Sequence, residues 1–369
     1  MKTSEFNYYL PKELIAQKPM SPRDHSRLLV LDRNSGKIEH RYFYEIVKFL
    51  WKGDILVLND SRVIPARLLG KKVSTGGKAE VLLLRPKTDD LKKYVWSDTW
   101  LVIGKPELNQ GQEIKFAGDL KGEILKVLNY QRIIKFNQKG ERLRKTIYKI
   151  GQAPVPPYIQ SKIANSRLRK YYQTVYAEKI GSVAAPTAGF HFTRRLMKKL
   201  KKQGVQFEFI TLHVGLGTFQ PVKTENIENH HLELEWAEID RKTAQDLNQA
   251  KRQNRRIIAV GTTTTRTLEG FTDKKGILRT GRKFVDLFIY PGYKFKYVDA
   301  LLTNFHLPKS TLLMLVSAFV QASADKSAFA QASADKSALA GKDLIFKAYQ
   351  EAIQKKYRFF SFGDVMFIK

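Results

Sequence analysis

The chain has 369 residues, with 65 lysines and arginines against 35 aspartates and glutamates, and no cysteine. That length predicts two domains, and the lack of cysteine excludes disulfides, cysteine-bound zinc and iron–sulfur clusters, together with radical chemistry that needs a cluster. The net charge of +30 points to a polyanionic partner, because each neutralised phosphate releases counterions; a solvated lysine-rich surface is the plainer reading.

The N-terminal MKTSEFNYYLPKELIAQ lacks the apolar core of a signal peptide. LLMLVSAFV (Leu312–Val320) is well short of the roughly 18 apolar residues of a membrane span. The expectation is a soluble, cytoplasmic protein without a membrane partner. Phe6–Ile15 reads as a short element broken by Pro19 and Pro22, and Ser26–Arg33 as a strand ending in an Asn-Ser-Gly turn. Tyr44–Leu50 reads as a short amphipathic helix, and Gly53–Leu68 as a buried strand entering a polar turn.

The texture changes between Leu68 and Ile150. AEVLLLRP, TWLVIGKP, GQEIKF, GEILKVL and RIIKF follow one another with Gly and charged turns between them and no long helical periodicity. This predicts a small antiparallel barrel or sandwich over 68–150. From Gly151 strands and helices alternate, so residues 1–67 and 151–369 predict an α/β domain from which the β unit hangs. Near the end, SAFVQASADK (Ser317–Lys326) is followed by SAFAQASADK (Ser327–Lys336). Ten residues turn a helix by about 280° beyond whole turns, so Phe319 and Phe329 do not share a face. The repeat predicts an Ala-rich helical extension or surface loop without a catalytic role.

Several loops carry chemistry. HVGLGTF (His213–Phe219) follows a strand and holds two glycines, but lacks the third glycine of the dinucleotide fingerprint. That counts against an ordinary Rossmann methyltransferase. AAPTAGFHFT (Ala184–Thr193) runs into a basic helix with Thr193 as N-cap, and His191 is either an acid/base or part of a structural turn; His213 reads also as a core histidine. LNDSRVIPAR (Leu58–Arg67) places Asp60, Arg62 and Arg67 around a turn, as a site or as an ion pair ordering a junction. AVGTTTTRTLE (Ala259–Glu269) reads as a strand, a Thr-rich turn and a helix start, where Thr hydroxyls and Arg266 suit anionic oxygens. Asn304 and His306 lie on a loop between apolar segments, and Ser161–Tyr172 and Arg194–Gln203 are acid-free basic runs. Tyr171 and Tyr172 beside the first run suit stacking on unpaired bases. No Walker loop, nucleophile elbow or metal motif occurs.

Taken in order, LPKELIAQKP, DHSRLLVLDR, GDILVLNDSRVIPARL, YQTVYAEKIGSVAAPTAGFHFT, TLHVGLGTFQPV, IIAVGTTTTRTLE, LFIYPGYKFKYVDALLTNFHLPKSTLLMLVSAF and YRFFSFGDVMFI resemble the S-adenosylmethionine:tRNA ribosyltransferase-isomerases of queuosine biosynthesis. The resemblance spans essentially the whole chain. It implies a larger α/β domain with a six-stranded β-barrel. It also implies transfer and isomerisation of the ribosyl part of S-adenosylmethionine onto 7-aminomethyl-7-deazaguanine at the tRNA wobble position, with release of adenine and methionine. S-adenosylmethionine is then a consumed substrate, no further cofactor or metal is needed, and the enzyme is expected to be a monomer whose partner is tRNA with the deazaguanine precursor in its anticodon. His213, His191 and Asp60 become the acid/base candidates. Arg62, Arg67, Thr187, Gly215, Gly217, Thr218, Arg266, Asn304 and His306 become candidates for holding the substrates. A non-catalytic tRNA-binding protein is the competing reading. The sequence departs from the family at Glu233, where a histidine is usual, at Phe190 and Tyr172, and in the tandem repeat.

Overall fold

The computed structural model describes residues 1–87, 96–160, 163–215, 222–324 and 334–369. After short 3-10 turns come strands β1 (Arg27–Leu31) and β2 (Ile38–Tyr42), a 3-10 turn at Phe43–Lys48, then β3 (Ile55–Asn59) and β4 (Ser61–Val63). Strands β5 (Arg67–Lys72), β6 (Lys78–Pro86), β7 (Thr99–Lys105), β8 (Glu113–Phe116), β9 (Lys121–Leu128) and β10 (Gln131–Phe136) are followed by helix α1 (Gly140–Ile150). Helix α2 (Asn165–Tyr171), β11 (Lys179–Ser182), α3 (Arg194–Lys202), β12 (Gln206–Leu212), β13 (Glu235–Ile239), α4 (Arg241–Arg252), β14 (Ile257–Val260) and α5 (Thr262–Phe271) come next. The chain ends with β15 (Gly281–Val285), β16 (Ala300–Asn304), α6 (Thr311–Ala324), α7 (Ala334–Gln354) and β17 (Val365–Ile368).

Nine strands form one mixed sheet in the order β15-β13-β12-β3-β14-β16-β17-β1-β2. At its centre β12, β3, β14 and β16 are parallel. A parallel sheet is covered on both faces, which is why these strands read as unbroken apolar runs. Val57, Ala259 and Leu301 pack on one side with Leu247 of α4 and Leu268 of α5. Leu56, Leu58, Ile258, Val260 and Leu302 pack on the other with Leu196 and Leu200 of α3. Strand β4 pairs in parallel with β11 beside the sheet.

The six strands β10-β7-β6-β5-β8-β9 close into an antiparallel barrel, as the spacing of short β runs predicts. Its interior buries Leu68, Val81, Val102, Ile114 and Ile134 around Trp100. Helix α1 is a short helix that the reading of 68–150 as recurring β runs does not include. Leu143 and Ile147, with Ile150 half-buried, form its apolar stripe and join the barrel core. Four cations and one acid among its eleven residues hide that short stripe from a periodicity reading.

Other local expectations are adjusted. The segment near Tyr44–Leu50 is a 3-10 turn, Phe43–Lys48, rather than an α-helix. Thr193 is an N-cap, its Oγ1 accepting from the Leu196 amide at 3.1 Å. The first repeat copy is not a surface extension at its start: Ala318, Phe319 and Val320 of α6 are buried in the core. Arg33 lies 4.4 Å over the Phe319 ring. Residues 325–333 of the repeat lie outside the described residues.

Candidate functional site

The parallel strands β12, β3, β14 and β16 deliver His213, Asp60, Gly261 and Asn304 to one edge of the sheet. In open α/β sheets, ligands settle at the carboxyl edge where neighbouring strands send their connections to opposite sides. Strands β3 and β14 are such neighbours: the chain enters β12 beside β3 from α3, packed on one face of the sheet, and leaves β14 through α5, packed on the other. A pocket opens here, lined by Thr187, Val214, Thr262, Thr263, Asn304 and His306, together with Tyr158, Phe360 and Ser361.

Gly261 turns the corner between β14 and α5 at φ 96°, a conformation other residues rarely adopt. An added Cβ would also stand 3.4 Å from that of Ala188. The expected Thr-rich turn is instead the first turns of α5. Thr264 Oγ1 donates to the Val260 carbonyl at 2.8 Å and Thr267 Oγ1 to that of Thr263 at 2.9 Å, so these hydroxyls serve the helix. What α5 offers the pocket is its first turn, whose amides lack intrahelical acceptors and carry the positive end of the helix dipole.

Asn304 ties the pocket wall together. Thr187 Oγ1 donates to its Oδ1 at 2.9 Å, which fixes the amide's orientation. Asn304 Nδ2 then faces His191 Nε2 at 3.2 Å and the Phe360 carbonyl at 3.3 Å. His191 Nε2 is therefore the acceptor, and Nδ1 carries the proton that it donates to Ser26 Oγ at 2.7 Å. Burial, with Arg358 and Arg23 nearby, lowers the His191 pKa to about 3. Both ring nitrogens are occupied, so His191 is arranged to orient Asn304. Phe360 is held at φ 68°, a strained conformation for a bulky residue, and its amide donates to the Phe305 carbonyl at 3.2 Å. His306 is buried and its Nε2 meets Thr303 Oγ1 at 2.7 Å; burial lowers its pKa to about 3.

Asp60 follows β3 immediately and is 7% exposed. Burial raises its pKa to about 6, although Thr211 Oγ1 donates to its Oδ1 at 2.7 Å. His213 lies two residues beyond Thr211, stacked on Trp236 with centroids 4.9 Å apart. Burial lowers its pKa to about 3, so it is neutral at neutral pH. Thr211 thus bridges, by sequence and hydrogen bond, two of the three acid/base candidates.

Arg266 does not line the pocket. It is 4% exposed, ion-paired with Glu235 and donating its Nε to the Leu287 carbonyl at 2.9 Å. Glu235 Oε1 also accepts the Gly215 amide at 2.9 Å, so the pair anchors the backbone at Gly215. Gly217 and Thr218 lie outside the described residues. Arg67 is placed away from the site: it ion-pairs with Glu80 at 2.6 Å within the barrel wall, so the turn expected to gather Asp60, Arg62 and Arg67 separates them. Arg62 is exposed and lines a different cavity. Tyr172, expected to stack on bases, is 1% exposed and packed edge-on to Phe190 and Phe362.

Glu233, in the place of the usual histidine, accepts hydrogen bonds from Tyr130 Oη and from Gln131 Nε2, the latter at 2.9 Å. It joins the β9–β10 corner of the barrel to the strand edge near Gly215. Sequence reasoning missed Glu235, Tyr158, Phe360 and Ser361. Glu235 sits in LELEW, Phe360 and Ser361 in FFSFG, and Tyr158 in PVPPYIQ, and none of these spacings reveals a pocket. Among the described residues, no three His, Asp or Glu side chains converge as a metal set, and no helix is long and apolar enough to cross a membrane.

The chain matches the family model described as queuosine biosynthesis protein over residues 3–337 and 334–368. The two matched stretches overlap at the end of the tandem repeat. It is 48% identical, over the full length of both chains, to the S-adenosylmethionine:tRNA ribosyltransferase-isomerase of Natranaerobius thermophilus. It is likewise 48% identical over full length to the enzyme of that name from Halothermothrix orenii. The crystal structure of the S-adenosylmethionine tRNA ribosyltransferase of Thermotoga maritima superposes with a TM-score of 0.53 at 38% identity, covering 99% of this chain and 100% of that one. The chain belongs to the queuosine biosynthesis protein family.

Proposed function

We propose that this chain transfers and isomerises the ribosyl group of S-adenosylmethionine onto the aminomethyl group of 7-aminomethyl-7-deazaguanine in the tRNA anticodon, releasing adenine and methionine. The observation that carries this reading is 48% identity over the full length of enzymes of that name. The pocket at the β3/β14 switch point is compatible with it. The first turn of α5 suits the donor's carboxylate, and Tyr158 and Phe360 give an aromatic wall suited to its adenine.

The sulfonium acidifies the adjacent 5′ carbon, so a base must take that proton before the ribosyl group rearranges. Asp60 is the better base of the candidates. Its pKa of about 6 leaves it mostly ionised at neutral pH yet close enough to that pH to accept and pass on a proton. His213, at about 3, is a weak base until negative charge comes near it; as a neutral ring on Trp236 it suits a hydrogen-bonding role. Thr187, Asn304 and His306 hold the donor together with Gly215, Gly217 and Thr218, His191 orients Asn304, and Arg266 with Glu235 braces Gly215. No cofactor is required, the protein works as a cytoplasmic monomer, and its domains divide at 68–150.

The test is mass spectrometry of products from tRNA carrying the deazaguanine precursor. Epoxyqueuosine in the tRNA with equimolar adenine and methionine is the expected result. S-adenosylhomocysteine among the products, or no turnover by the folded protein, overturns the reading.

A further inference from the structure

A second concavity, of about 560 Å³, lies away from the pocket described above, between β4, α1 and α2. Its wall carries Arg62, Arg144, Arg169 and Lys170, with Tyr148 among them. Arg62 is two residues past Asp60. Val63 and Tyr172 line this groove, whereas Ala185 and Tyr158 line the pocket. All four belong to or pack against one small apolar cluster. A single packed layer therefore separates the groove from the pocket.

The cations are organised around the tyrosine. Arg169 Nη1 donates to the Tyr148 carbonyl at 2.9 Å, and its guanidinium stands 5.7 Å from the ring centroid. The Arg144 guanidinium stands 5.9 Å from the same centroid. Lys170 and Arg62 are exposed. No carboxylate lines the groove among the described residues. The nearest acid on α1, Glu141, pairs with Arg144 at 2.6 Å, and a solvent-exposed pair of that kind is weak enough to be exchanged for a phosphate. The outer residues of α1 and α2 add Arg142, Lys145, Lys149 and Arg167, all exposed.

Guanidinium forks grip phosphate oxygens in pairs, and an aromatic ring between them gives a sugar or base a face to lie on. Two further basic surfaces are built differently. Helix α3 presents its lysines on a convex face whose inner residues Leu196 and Leu200 are packed away. In the cavity around Arg41 and Lys48 these two cations are tied to Glu39 and Glu45, while Arg27 donates to the Lys355 carbonyl and lies over the Tyr357 ring. We infer that the Arg62–Arg144–Arg169–Lys170 groove is the docking site for the phosphate backbone of the RNA substrate, on the stem beside the modified nucleotide. This rests on the reading that the chain acts on tRNA.

The experiment is fluorescence anisotropy of the full chain with a labelled anticodon hairpin RNA across a salt series. The combined variant Arg144→Gln, Arg169→Gln, Lys170→Gln should raise the Kd roughly 10- to 100-fold and flatten the log Kd–log salt slope by about 2. Lys170→Glu, on an exposed side chain, should weaken binding several-fold without touching packing. Glu141→Gln, which frees Arg144, should tighten it. The control Lys198→Gln, Lys199→Gln, Lys202→Gln on α3 should bind as the parent does. Unchanged affinity and slope in the groove variants, or loss in the α3 control instead, overturns the groove. Polyglutamate of matched charge competing as well as the RNA overturns the assignment to RNA. Failure of the parent chain to bind the hairpin at all removes the tRNA reading itself, a different outcome from failure of the groove.

Discussion

Glu235 and Arg266 form an ion pair in which both side chains are at most 4% exposed, and the other carboxylate oxygen holds the Gly215 amide. Glu235 on β13 thereby clamps α5 to the backbone at Gly215. Removing one partner strands a buried charge, which costs about 3–5 kcal/mol, whereas replacing both with apolar groups is often neutral. Arg266→Met should therefore lower the denaturation midpoint sharply. The double change Glu235→Leu, Arg266→Met should restore most of it and still leave the Gly215 amide without its acceptor. The apparent KM for S-adenosylmethionine should stay raised in the double variant. Recovery of both stability and KM would show that the pair serves packing alone.

The Thr187–Asn304–His191 chain gives a second expectation. Thr187→Val keeps the shape but removes the hydroxyl that donates to Asn304 Oδ1, so the amide loses its fixed orientation. An unmade buried hydrogen bond costs about 1–3 kcal/mol. KM for S-adenosylmethionine should rise roughly 5- to 50-fold with a smaller change in kcat, and Thr187→Ser should restore it. Isothermal titration with S-adenosylmethionine checks the binding part directly.

The pH profile tests Asp60. Its pKa is raised to about 6 by burial, and a base must be ionised to act. Single-turnover rates should rise through about pH 6 and then level off, rather than rising near pH 4 as an exposed carboxylate would give. Asp60→Asn should remove that limb and lower the rate about 100-fold or more. His213→Gln should keep the limb near pH 6. A limb that moves in His213→Gln and persists in Asp60→Asn would reverse the two roles.

Acid stability follows from the buried histidines. His191, His213 and His306 have pKa values near 3 because burial disfavours their charged forms. The unfolded chain takes up protons near pH 6.5 and the folded one does not. Folding stability should therefore be intact above pH 6.5 and fall as the pH drops toward 3, by about 1.4 kcal/mol per pH unit for each histidine. Urea midpoints measured from pH 7 to pH 4.5 should fall, and His306→Gln should make the fall shallower if it folds. A flat midpoint over that range contradicts the linkage.

How much of this was legible in the sequence depends on the kind of signal. The barrel was legible because short β-rich runs such as AEVLLLRP and GEILKVL recur at close spacing with Gly and charged turns between them. Helix α1 was not, because Leu143 and Ile147 are its only fully buried side chains. The loops that build the pocket were legible as motifs, since Ala184–Thr193 and Asn304–His306 both contribute to it. Their division of labour was not. Sequence position gives His191 and His213 the same prospects, and only Ser26 and Asn304 on either side of His191 distinguish them. Arg67 and Arg62 are five residues apart, yet one closes into the barrel wall and the other faces solvent. Register and burial decide that, and neither is written in residue type.

The tandem repeat supplies its own controlled comparison. Deleting residues 327–336 leaves the first copy, SAFVQASADK, running into SALAGKD; deleting 317–326 leaves SAFAQASADK in the same place. The two products are equal in length and differ only by Val or Ala at position 320. Val320 is 2% exposed in the core beside α7. Removing two methyl groups there costs about 0.8 kcal/mol each in transfer, plus the cavity they leave. The 317–326 deletion should therefore be less stable by about 1.5–2.5 kcal/mol in urea unfolding, with the same turnover. Equal midpoints would mean that the core accepts alanine at 320 by collapse. A difference in turnover rather than stability would give the duplicated segment a part in tRNA docking.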